Sequence, residues 1–309
     1  MDVYKKITDL TIKYPNMVVA LGMFDGVHAG HQSIIRRAVS LANELNGKAI
    51  VFTFANHPLS VLAPPSLPPQ IGGEELRELR MRKLGVDAIV SVPFDAALAQ
   101  IEPEAFLQLL QKYFQPKYVV TGENYTFGVK GQGDQALLKK LGPKYGFRPE
   151  ICQDVLVNGR HVSSTRIRSL IDAGELAAAN ECLGYPFTIV GEVRHGDERG
   201  RTIGFPTANL AIEPQRVMLP NGVYVVKVVY AGKVYAGMAN IGDNPTFTGC
   251  YRRIEVNIHE FAQNIYGKKL EVSFLKNLRN EVKFSSVDEL VKQLTCDKEA
   301  VEKYWQQLK

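Results

Sequence analysis

The chain has 309 residues, of which 45% are hydrophobic and 22% charged, so it can bury the cores of two domains of ordinary size. Its net charge is +5 and its isoelectric point is about 8.9. This mild basicity suits the binding of phosphorylated small molecules. Without a block of Lys or Arg residues, it argues against a nucleic-acid-binding protein.

Cysteine usage and hydropathy predict a protein of the reducing cytoplasm. Four cysteines, at positions 152, 182, 250 and 296, are widely separated and form no CxxC pair, so we expect neither a disulfide framework nor a zinc knuckle. The N-terminal segment has no apolar signal core. No apolar run approaches the roughly 20 residues that span a bilayer, and we expect no membrane association.

In the first half of the chain, apolar runs typical of strands alternate with runs typical of helices. In chain order they predict strands at residues 18–21, 48–54, 88–92 and 118–121, with helices at 32–45, 74–84 and 103–114. Continuous apolar strands separated by helices are typical of a buried parallel sheet in an α/β domain. Ligands bind beyond the carboxyl ends of such strands, so residues 22–31, 57–69 and 122–128 should share one rim.

After a helical stretch at residues 165–181 the pattern changes to strands. A hairpin is predicted at residues 222–230 and 233–238 around Ala231-Gly232. Further strands follow at 254–261 and 269–275, and an amphipathic helix at 287–308. Many strands with little helix predict a small β-barrel with a terminal helix. We expect two domains, residues 1–183 and 184–309.

The segment GMFDGVHAGH, residues 22–31, joins the first predicted strand to the first predicted helix. His28 and His31 are three residues apart at the helix start and therefore share one face of its first turn. A helix N-terminus favours anions, and the three glycines of the segment allow close approach of the backbone to a ligand. The two imidazoles can donate hydrogen bonds to phosphate oxygens.

Two other interpretations of this histidine pair stay open from the residues alone. One is a metal site, although no third ligand is nearby and zinc usually takes at least three protein ligands. The other is a pair of surface histidines beside a tight turn.

The segment resembles the HxGH motif of the nucleotidyltransferase superfamily, and its longer form FDGVHxGH is similar to that of the prokaryotic bifunctional riboflavin kinase/FAD synthetase family. Further matches follow in order as TFANHP, GENYTFG and SSTRIR, at residues 53–58, 122–128 and 163–168. The resemblance implies a Rossmann-like nucleotidyltransferase domain. Such a domain adenylylates FMN, whose phosphate attacks the α-phosphorus of ATP and releases pyrophosphate.

The resemblance also implies roles for individual residues. His28 and His31 would stabilise charge on the ATP phosphates, and Asn124 would contact the phosphates or the flavin. The remaining residues implied at the ATP phosphates are Gly22, Phe24, Asp25, Gly26, Ser164, Thr165 and Arg168. Without the resemblance, SSTRIR alone is more typical of a helix cap followed by surface arginines than of a phosphate site.

The chain departs from the family pattern at Asn56, where the family usually has proline before His57-Pro58. We expect the His-Pro turn to persist. The proline-rich segment that follows contains Pro64, Pro65, Pro68 and Pro69; it is either a stiff loop over the flavin side of the cleft or a connector.

A second glycine-rich segment, GEVRHGDERGRTIGFPTANL, covers residues 191–210. Such a loop can surround phosphates with backbone N–H groups. It matches neither the Walker A nor the dinucleotide-binding pattern, so by itself it is equally compatible with a flexible surface loop.

Two further features of the second half can carry chemistry. Thr207 and Asn209 would lie on one face of a strand, where two neutral oxygens suit Mg²⁺; an ordinary polar strand face is the alternative. Glu255 lies in a predicted strand with apolar neighbours. A carboxylate within reach of a hydroxyl can act as a general base, and an exposed strand charge is the alternative.

Four segments of the second half resemble, in order, the riboflavin kinase module of the same family. They are HGxxxGRxxGFPTAN, GMANIGxNPTF, the Glu255 strand and LRNEVKF. The resemblance implies a six-stranded antiparallel barrel with ATP and Mg²⁺ under the glycine loop. Thr207 and Asn209 would hold the metal, and Glu255 would accept the proton of the riboflavin 5′-hydroxyl. The residues expected to border ATP or flavin are Gly196, Gly200, Arg201, Gly204, Asn244 and Arg279.

The sequence therefore predicts a bifunctional enzyme whose partners are riboflavin, FMN and ATP, with FAD as a product rather than a bound redox cofactor. We expect no nucleic-acid partner, and a weak homo-oligomer is compatible with the prediction. The alternatives are an enzyme with one live activity, another nucleotidyltransferase with an unrelated barrel, and a non-catalytic flavin-binding regulator.

Overall fold

The computed structural model describes residues 1–10, 14–196, 199–213, 215–246 and 249–308, without the side chains of residues 199 and 244–251. The chain divides into two compact units, one of residues 1–69 and 73–164 and the other of residues 70–72 and 165–309. Within the described ranges, no helix combines the length and apolarity needed to cross a membrane.

The first unit is a parallel sheet with helices between its strands, as predicted. Its strands are β1 (Asp2–Tyr4), β2 (Val18–Leu21), β3 (Ala49–Phe54), β4 (Ala88–Val92), β5 (Tyr118–Gly122) and β6 (Arg148–Cys152). Its helices are α1 (Ala29–Glu44), α2 (Leu59–Leu62), α3 (Glu74–Lys83), α4 (Ala96–Ala99), α5 (Pro103–Phe114) and α6 (Gln135–Leu141). The strand order is β1-β4-β3-β2-β5-β6. The two edge strands, β1 and β6, were not among the predicted elements.

Both faces of this sheet are buried, which explains why its strands are apolar throughout. In β2, Val18 and Ala20 pack into a cluster that contains Ile35 of α1. The alternate residues, beginning with Val19, pack on the opposite face with Phe106 of α5. A two-residue alternation between two apolar layers leaves no polar position in the strand.

The strand order places a crevice between β2 and β5. The chain passes from β2 to β3 and β4 on one side, and then returns to place β5 on the other side of β2. Open parallel sheets bind ligands at such a reversal, beyond the carboxyl ends of the strands. The segments that follow β2 and β5, residues 22–31 and 122–128, therefore border this crevice.

The helical stretch predicted at residues 165–181 is two helices, α7 (Ser164–Asp172) and α8 (Leu176–Leu183). Gly174 separates them with a φ of +78°, a conformation that favours glycine. The side chain of Asn180 in α8 donates to the carbonyl of Phe274 at 3.1 Å and accepts from the backbone N–H of Phe187 at 2.6 Å. These contacts join α8 to the second unit. The main part of that unit therefore begins at residue 165, before the expected boundary at 183. A short hairpin, β7 (Leu156–Val157) and β8 (Arg160–His161), precedes α7.

The second unit is the predicted six-stranded antiparallel barrel. Its strands are β9 (Thr188–Arg194), β10 (Ala208–Leu210), β11 (Gly222–Tyr230), β12 (Lys233–Thr246), β13 (Gly249–Ile258) and β14 (Lys269–Asn280), and its further helices are α9 (Arg199–Thr202) and α10 (Val287–Gln307). The barrel closes in the order β10-β13-β12-β11-β14-β9. Ala231 and Gly232 turn the β11–β12 hairpin with φ values of 48° and 77°, as a two-residue primed turn requires.

The terminal helix α10 covers one side of the barrel. Val301 of α10 is fully buried among Val223, Val225 and Met238. Ser286 caps the helix by accepting from the backbone N–H of Glu289.

Candidate active sites

The turn after β2 has a strained backbone that several side chains hold in place. Val27 has a φ of 39°, which is unfavourable for a β-branched residue. Its backbone N–H donates to the carbonyl of Phe24 at 3.1 Å, and its own carbonyl accepts from the Gln32 amide at 2.9 Å. Thr53 of β3 donates to the carbonyl of Met23 at 3.1 Å. The neighbouring strand and the following helix thus fix the shape of the turn.

The two histidines of this turn stack directly on each other. Their ring centroids are 3.6 Å apart, and the backbone N–H of His31 donates to Nδ1 of His28 at 3.4 Å, which makes His28 the cap of α1. The buried Phe24 ring packs edge-on against His31 at 5.3 Å. Nδ1 of His31 is buried and has no hydrogen-bond partner among the described residues. Helix α1 therefore begins at residue 29, earlier than predicted, because the cap belongs to the motif.

Burial lowers the pKa of His31 well below its usual range, and the neighbouring His28 lowers it further. The His31 imidazole is therefore neutral at pH 7. A neutral imidazole next to the N–H groups at a helix start can donate one hydrogen bond to a phosphate oxygen.

Two glycines of this motif pack closely against aromatic rings. A Cβ at Gly30 would lie 3.2 Å from the His28 ring, and one at Gly22 would lie 3.0 Å from the Phe24 ring. Gly26 has a φ of +70°. The carboxylate of Asp25 interacts electrostatically with the buried guanidinium of Arg77. Burial lowers the pKa of Arg77, and its acidic neighbours raise it.

Asn124 lies at the same crevice, two residues after the end of β5. Its side-chain amide is exposed and donates to Asp154 at 3.0 Å, and Asp154 also lies 3.1 Å from Nδ1 of His161. The SSTRIR motif spans the division of the chain. Ser164 is the last residue of the first unit, while Thr165 and Arg168 belong to the second, and all three lie in α7.

An apolar cavity of about 390 Å³ opens at the same rim. Residues at or beyond the ends of three strands line it: Phe54 ends β3, Pro58 and Leu62 follow β3, Phe94 follows β4, and Tyr125 and Phe127 follow β5. The cavity thus joins two of the three segments expected to share this rim. No sequence motif indicates Phe94, since only the pairing of β3 with β4 brings it to the cavity.

In the barrel, strand register brings three polar side chains into one row. On β13, Glu255 lies opposite Asn209 of β10 on one side and opposite Asn240 of β12 on the other. Arg253 donates to the Glu255 carboxylate at 2.9 Å. The Asn257 side chain donates to the carbonyl of Pro206 at 2.8 Å and so ties the PTAN segment to β13.

The PTAN segment has donors that fit a hard cation. Oδ1 of Asn209 is buried and has no hydrogen-bond partner among the described residues, which leaves one neutral oxygen free for a ligand. A Cβ at Gly196 would lie 2.2 Å from the Asn209 amide, and one at Gly200 would lie 2.3 Å from the carbonyl of Phe205; both glycines therefore permit the close packing of the loop. Within the described ranges, no group of three or more His, Cys, Asp or Glu residues could hold a metal. Neutral oxygens with water and phosphate suit Mg²⁺.

Thr207 lines two cavities in the barrel unit. One, of about 390 Å³, is lined by Arg201 and by a segment after β13 that includes Phe261 and Tyr266. The other, of about 300 Å³, is lined by Gly200, Glu255 and Arg279, together with apolar residues of α10. Thr207 lines both.

Helix α10 holds Arg279 in place. Asp297 accepts two hydrogen bonds from Arg279, at 3.0 Å from Nε and 2.8 Å from Nη2, and Gln293 donates to the same carboxylate at 2.9 Å. Asp297 is buried, with 4% of its surface exposed. The sequence analysis missed this partner and Asn240, because both arise from pairings between distant segments.

The other predicted residues of the barrel are placed as follows. Gly204 has a φ of +83° with open space around it. Asn244 lies on β12 opposite Tyr251, and its side chain is outside the described residues. Phe247, the last residue of the GMANIGxNPTF segment, is also outside them.

Comparisons with known proteins identify both halves. The family model described as FAD synthetase matches residues 11–166, and the one described as riboflavin kinase matches residues 183–305. A bifunctional riboflavin kinase/FMN adenylyltransferase of Escherichia coli K12 is 38% identical, over 91% of this chain and 90% of the relative. One from Listeria monocytogenes is also 38% identical, over 95% of this chain and 94% of the relative.

A solved structure from Streptococcus pneumoniae, described as a macrolide-efflux protein, is 37% identical with a TM-score of 0.86 and covers 97% of this chain and 98% of its own. That description differs from the family matched by both halves; the likeness is one of sequence and backbone over the whole chain. The chain belongs to the bifunctional riboflavin kinase/FMN adenylyltransferase family, with an FAD synthetase domain in its N-terminal half and a riboflavin kinase domain in its C-terminal half.

Proposed function

We propose that the barrel transfers the γ-phosphate of ATP to the 5′-hydroxyl of riboflavin, with ATP in the larger cavity and riboflavin in the smaller one. The presence of Thr207 in the lining of both cavities carries this proposal. The larger cavity offers Arg201 and aromatic residues to a nucleotide. The smaller one offers Glu255 and an apolar wall to a flavin. A phosphoryl group at Thr207 would then be in reach of both substrates, and positioning is the main requirement of this chemistry.

Glu255 acts as the general base in this proposal. It accepts the proton of the 5′-hydroxyl while that oxygen bonds to the γ-phosphorus, and the bond to the ADP oxygen breaks. Arg253, 2.9 Å away, donates to the carboxylate and limits its movement.

Thr207 and Asn209 would hold Mg²⁺ together with the ATP phosphates. The free buried oxygen of Asn209 supports this assignment. When bound, the metal supplies charge neutralisation to the transferring phosphoryl group. The glycine loop, with Gly196, Gly200 and Gly204, surrounds the phosphates with backbone N–H groups; Asn244 and Arg279 border the substrates.

In the first unit, the phosphate of FMN attacks the α-phosphorus of ATP, and pyrophosphate leaves. His28, neutral His31 and the N–H groups at the start of α1 donate to the phosphate oxygens as charge develops. No residue acts as a nucleophile. Gly22, Phe24, Asp25 and Gly26 shape the turn, and Asn124 would contact the phosphates or the flavin. The family motif assigns Ser164, Thr165 and Arg168 to the ATP phosphates.

The apolar cavity at the same rim is proposed as the site of the flavin ring of FMN. Its lining of Phe54, Phe94, Tyr125 and Phe127 suits a planar, largely apolar ring system. The ribityl phosphate would then extend toward the crevice between β2 and β5.

We further propose a cytoplasmic location, with riboflavin, ATP and FMN as the partners and FAD as a released product. Cys152, Cys182 and Cys296 are free thiols, which suits a reducing compartment. The domains would be residues 1–183 and 184–309. We propose that FMN is released between the two sites.

One assay tests the whole proposal. Purified protein with riboflavin, ATP and Mg²⁺ should form FMN and then FAD, separated by chromatography. Glu255→Gln should block FMN formation and still form FAD from supplied FMN, while His28→Ala should do the reverse. Each variant is the control for the other. A folded variant that loses both activities would contradict this division of roles.

A further inference from the structure

Asn56 links the ends of two neighbouring strands through its side chain. Its Oδ1 accepts from the backbone N–H of Phe94 at 2.8 Å, and its Nδ2 donates to the carbonyl of the same residue at 3.0 Å. A third hydrogen bond, from Nδ2 to the hydroxyl of Ser60, measures 2.9 Å. One half-buried amide therefore satisfies both backbone groups of Phe94.

These hydrogen bonds extend the sheet beyond its last backbone pair. Strands β3 and β4 pair up to Phe54 and Val92, and the N–H of Ala55 still donates to Val92 at 2.8 Å. The backbone pairing of β3 with β4 ends at this point. The Asn56 amide then takes the place of the next backbone pair. This requires a side chain that has both a donor and an acceptor.

The residue that Asn56 holds is part of the wall of the apolar cavity. The Phe94 ring packs edge-on against the Phe54 ring, with centroids 5.1 Å apart, and both line the cavity. The carbonyl of Phe54 is itself held by the buried Arg77 at 2.9 Å. The backbone of each phenylalanine is thus fixed by a polar side chain that does not line the cavity.

We propose that Asn56 is a positioning residue for FMN, which acts by holding Phe94 against the flavin ring. This inference rests on the proposed assignment of the cavity to FMN. Proline, the residue usual at this position in the family, has no donor and cannot make these bonds. In this chain the fixed aromatic wall therefore depends on the amide.

Steady-state kinetics of FAD formation from supplied FMN test the role of Asn56. In Asn56→Ala, KM for FMN should rise roughly tenfold, the factor expected for losing one or two hydrogen bonds, while kcat and KM for ATP change much less. Riboflavin phosphorylation by the same polypeptide should be unchanged and reports that the chain is intact. Ser60→Ala removes only the third hydrogen bond and should behave as the wild type.

A double-mutant cycle separates positioning from a general structural role. In Phe94→Ala, KM for FMN should rise, and adding Asn56→Ala should change it little further, because the effect of Asn56 passes through the Phe94 ring. Additive effects, or a wild-type KM for FMN in Asn56→Ala, would overturn the positioning role of Asn56 and leave the assignment of the cavity to FMN in place. A wild-type KM for FMN in Phe94→Ala would overturn the assignment of the cavity and the inference with it.

Discussion

Asn209 and Glu255 lie directly opposite each other on neighbouring strands of the barrel. They are 46 positions apart in the chain (255 − 209), and only closure of the barrel makes them neighbours. One offers a free buried oxygen and the other a carboxylate paired with Arg253. The proposed metal donor and the proposed base are therefore held at a fixed separation by backbone hydrogen bonds. Thr207 directly precedes β10, the strand that contains Asn209.

Removal of the Asn209 oxygen should weaken the metal dependence of the kinase selectively. In Asn209→Ala, the Mg²⁺ concentration for half-maximal FMN formation should rise at least about tenfold, because one oxygen donor is lost. FAD formation from supplied FMN should keep its Mg²⁺ dependence and provides the control. Unchanged Mg²⁺ dependence of FMN formation would contradict the assignment of Asn209 to the metal.

Asp297 should support both the stability of the barrel and its affinity for riboflavin. In Asp297→Asn, the partly buried Arg279 loses its counter-charge, and loss of one partner of a buried pair costs about 3 kcal/mol. The single tryptophan, Trp305, lies on α10, so its fluorescence in urea reports the loss. KM for riboflavin should also rise, because Arg279 lines the smaller cavity.

The matched control lies one residue further along α10. Lys298 forms an exposed pair with Glu302 at 3.9 Å, and such pairs contribute little. Lys298→Ala should therefore leave the unfolding transition and KM for riboflavin nearly unchanged. If Asp297→Asn behaves like Lys298→Ala, the pair does not hold Arg279 in the functional protein.

Much of this fold could be predicted because its signals are local. The apolar runs at β2 to β5 and the turn at Ala231-Gly232 each specify their own structure within a few residues. Strand ends were predicted less well. Strand β12 continues past residue 238 and β13 begins before residue 254, because pairing with a neighbouring strand extends them where the local sequence shows no apolar alternation.

The candidate sites were likewise predictable only in part. HxGH and PTAN are each a continuous stretch of sequence, so their donors could be named from the sequence. Phe94, Asn240 and Asp297 reach their sites through strand pairing or helix packing, and no spacing along the chain encodes that. Asn56 was visible as a departure from a family pattern, but its two bonds to Phe94 depend on how β3 and β4 separate.

Gly30 should separate the activity of the first unit from its stability. A Cβ in Gly30→Ala would lie 3.2 Å from the His28 ring and would displace it by a few tenths of an ångström. FAD formation should fall roughly tenfold, since small displacements at a reacting centre have large effects on rate. Stability should not fall, because alanine favours a helix over glycine. A large loss of stability, measured by circular dichroism in urea, would instead indicate disruption of the turn.

His259 should make the stability of the barrel depend on pH. It directly follows β13, is buried, and has no hydrogen-bond partner at either ring nitrogen among the described residues. Burial lowers its pKa below the usual 6.5, while Lys298 lowers it and Glu302 and Glu260 raise it. The unfolded chain therefore takes up this proton at a higher pH than the folded barrel does.

Because of this order of protonation, the barrel loses stability as the pH falls. Above pH 6.5 the imidazole is neutral in both states and its contribution to stability is complete. As the pH falls from there toward the lowered pKa, the unfolded state gains protons first, so the free energy of unfolding decreases by at most about 1.4 kcal/mol per pH unit. Trp305 fluorescence in urea from pH 7.5 to 5 should show this loss in the wild type and a smaller one in His259→Gln. Equal losses in the two proteins would mean that His259 does not titrate in this range, since the substitution removes only that proton.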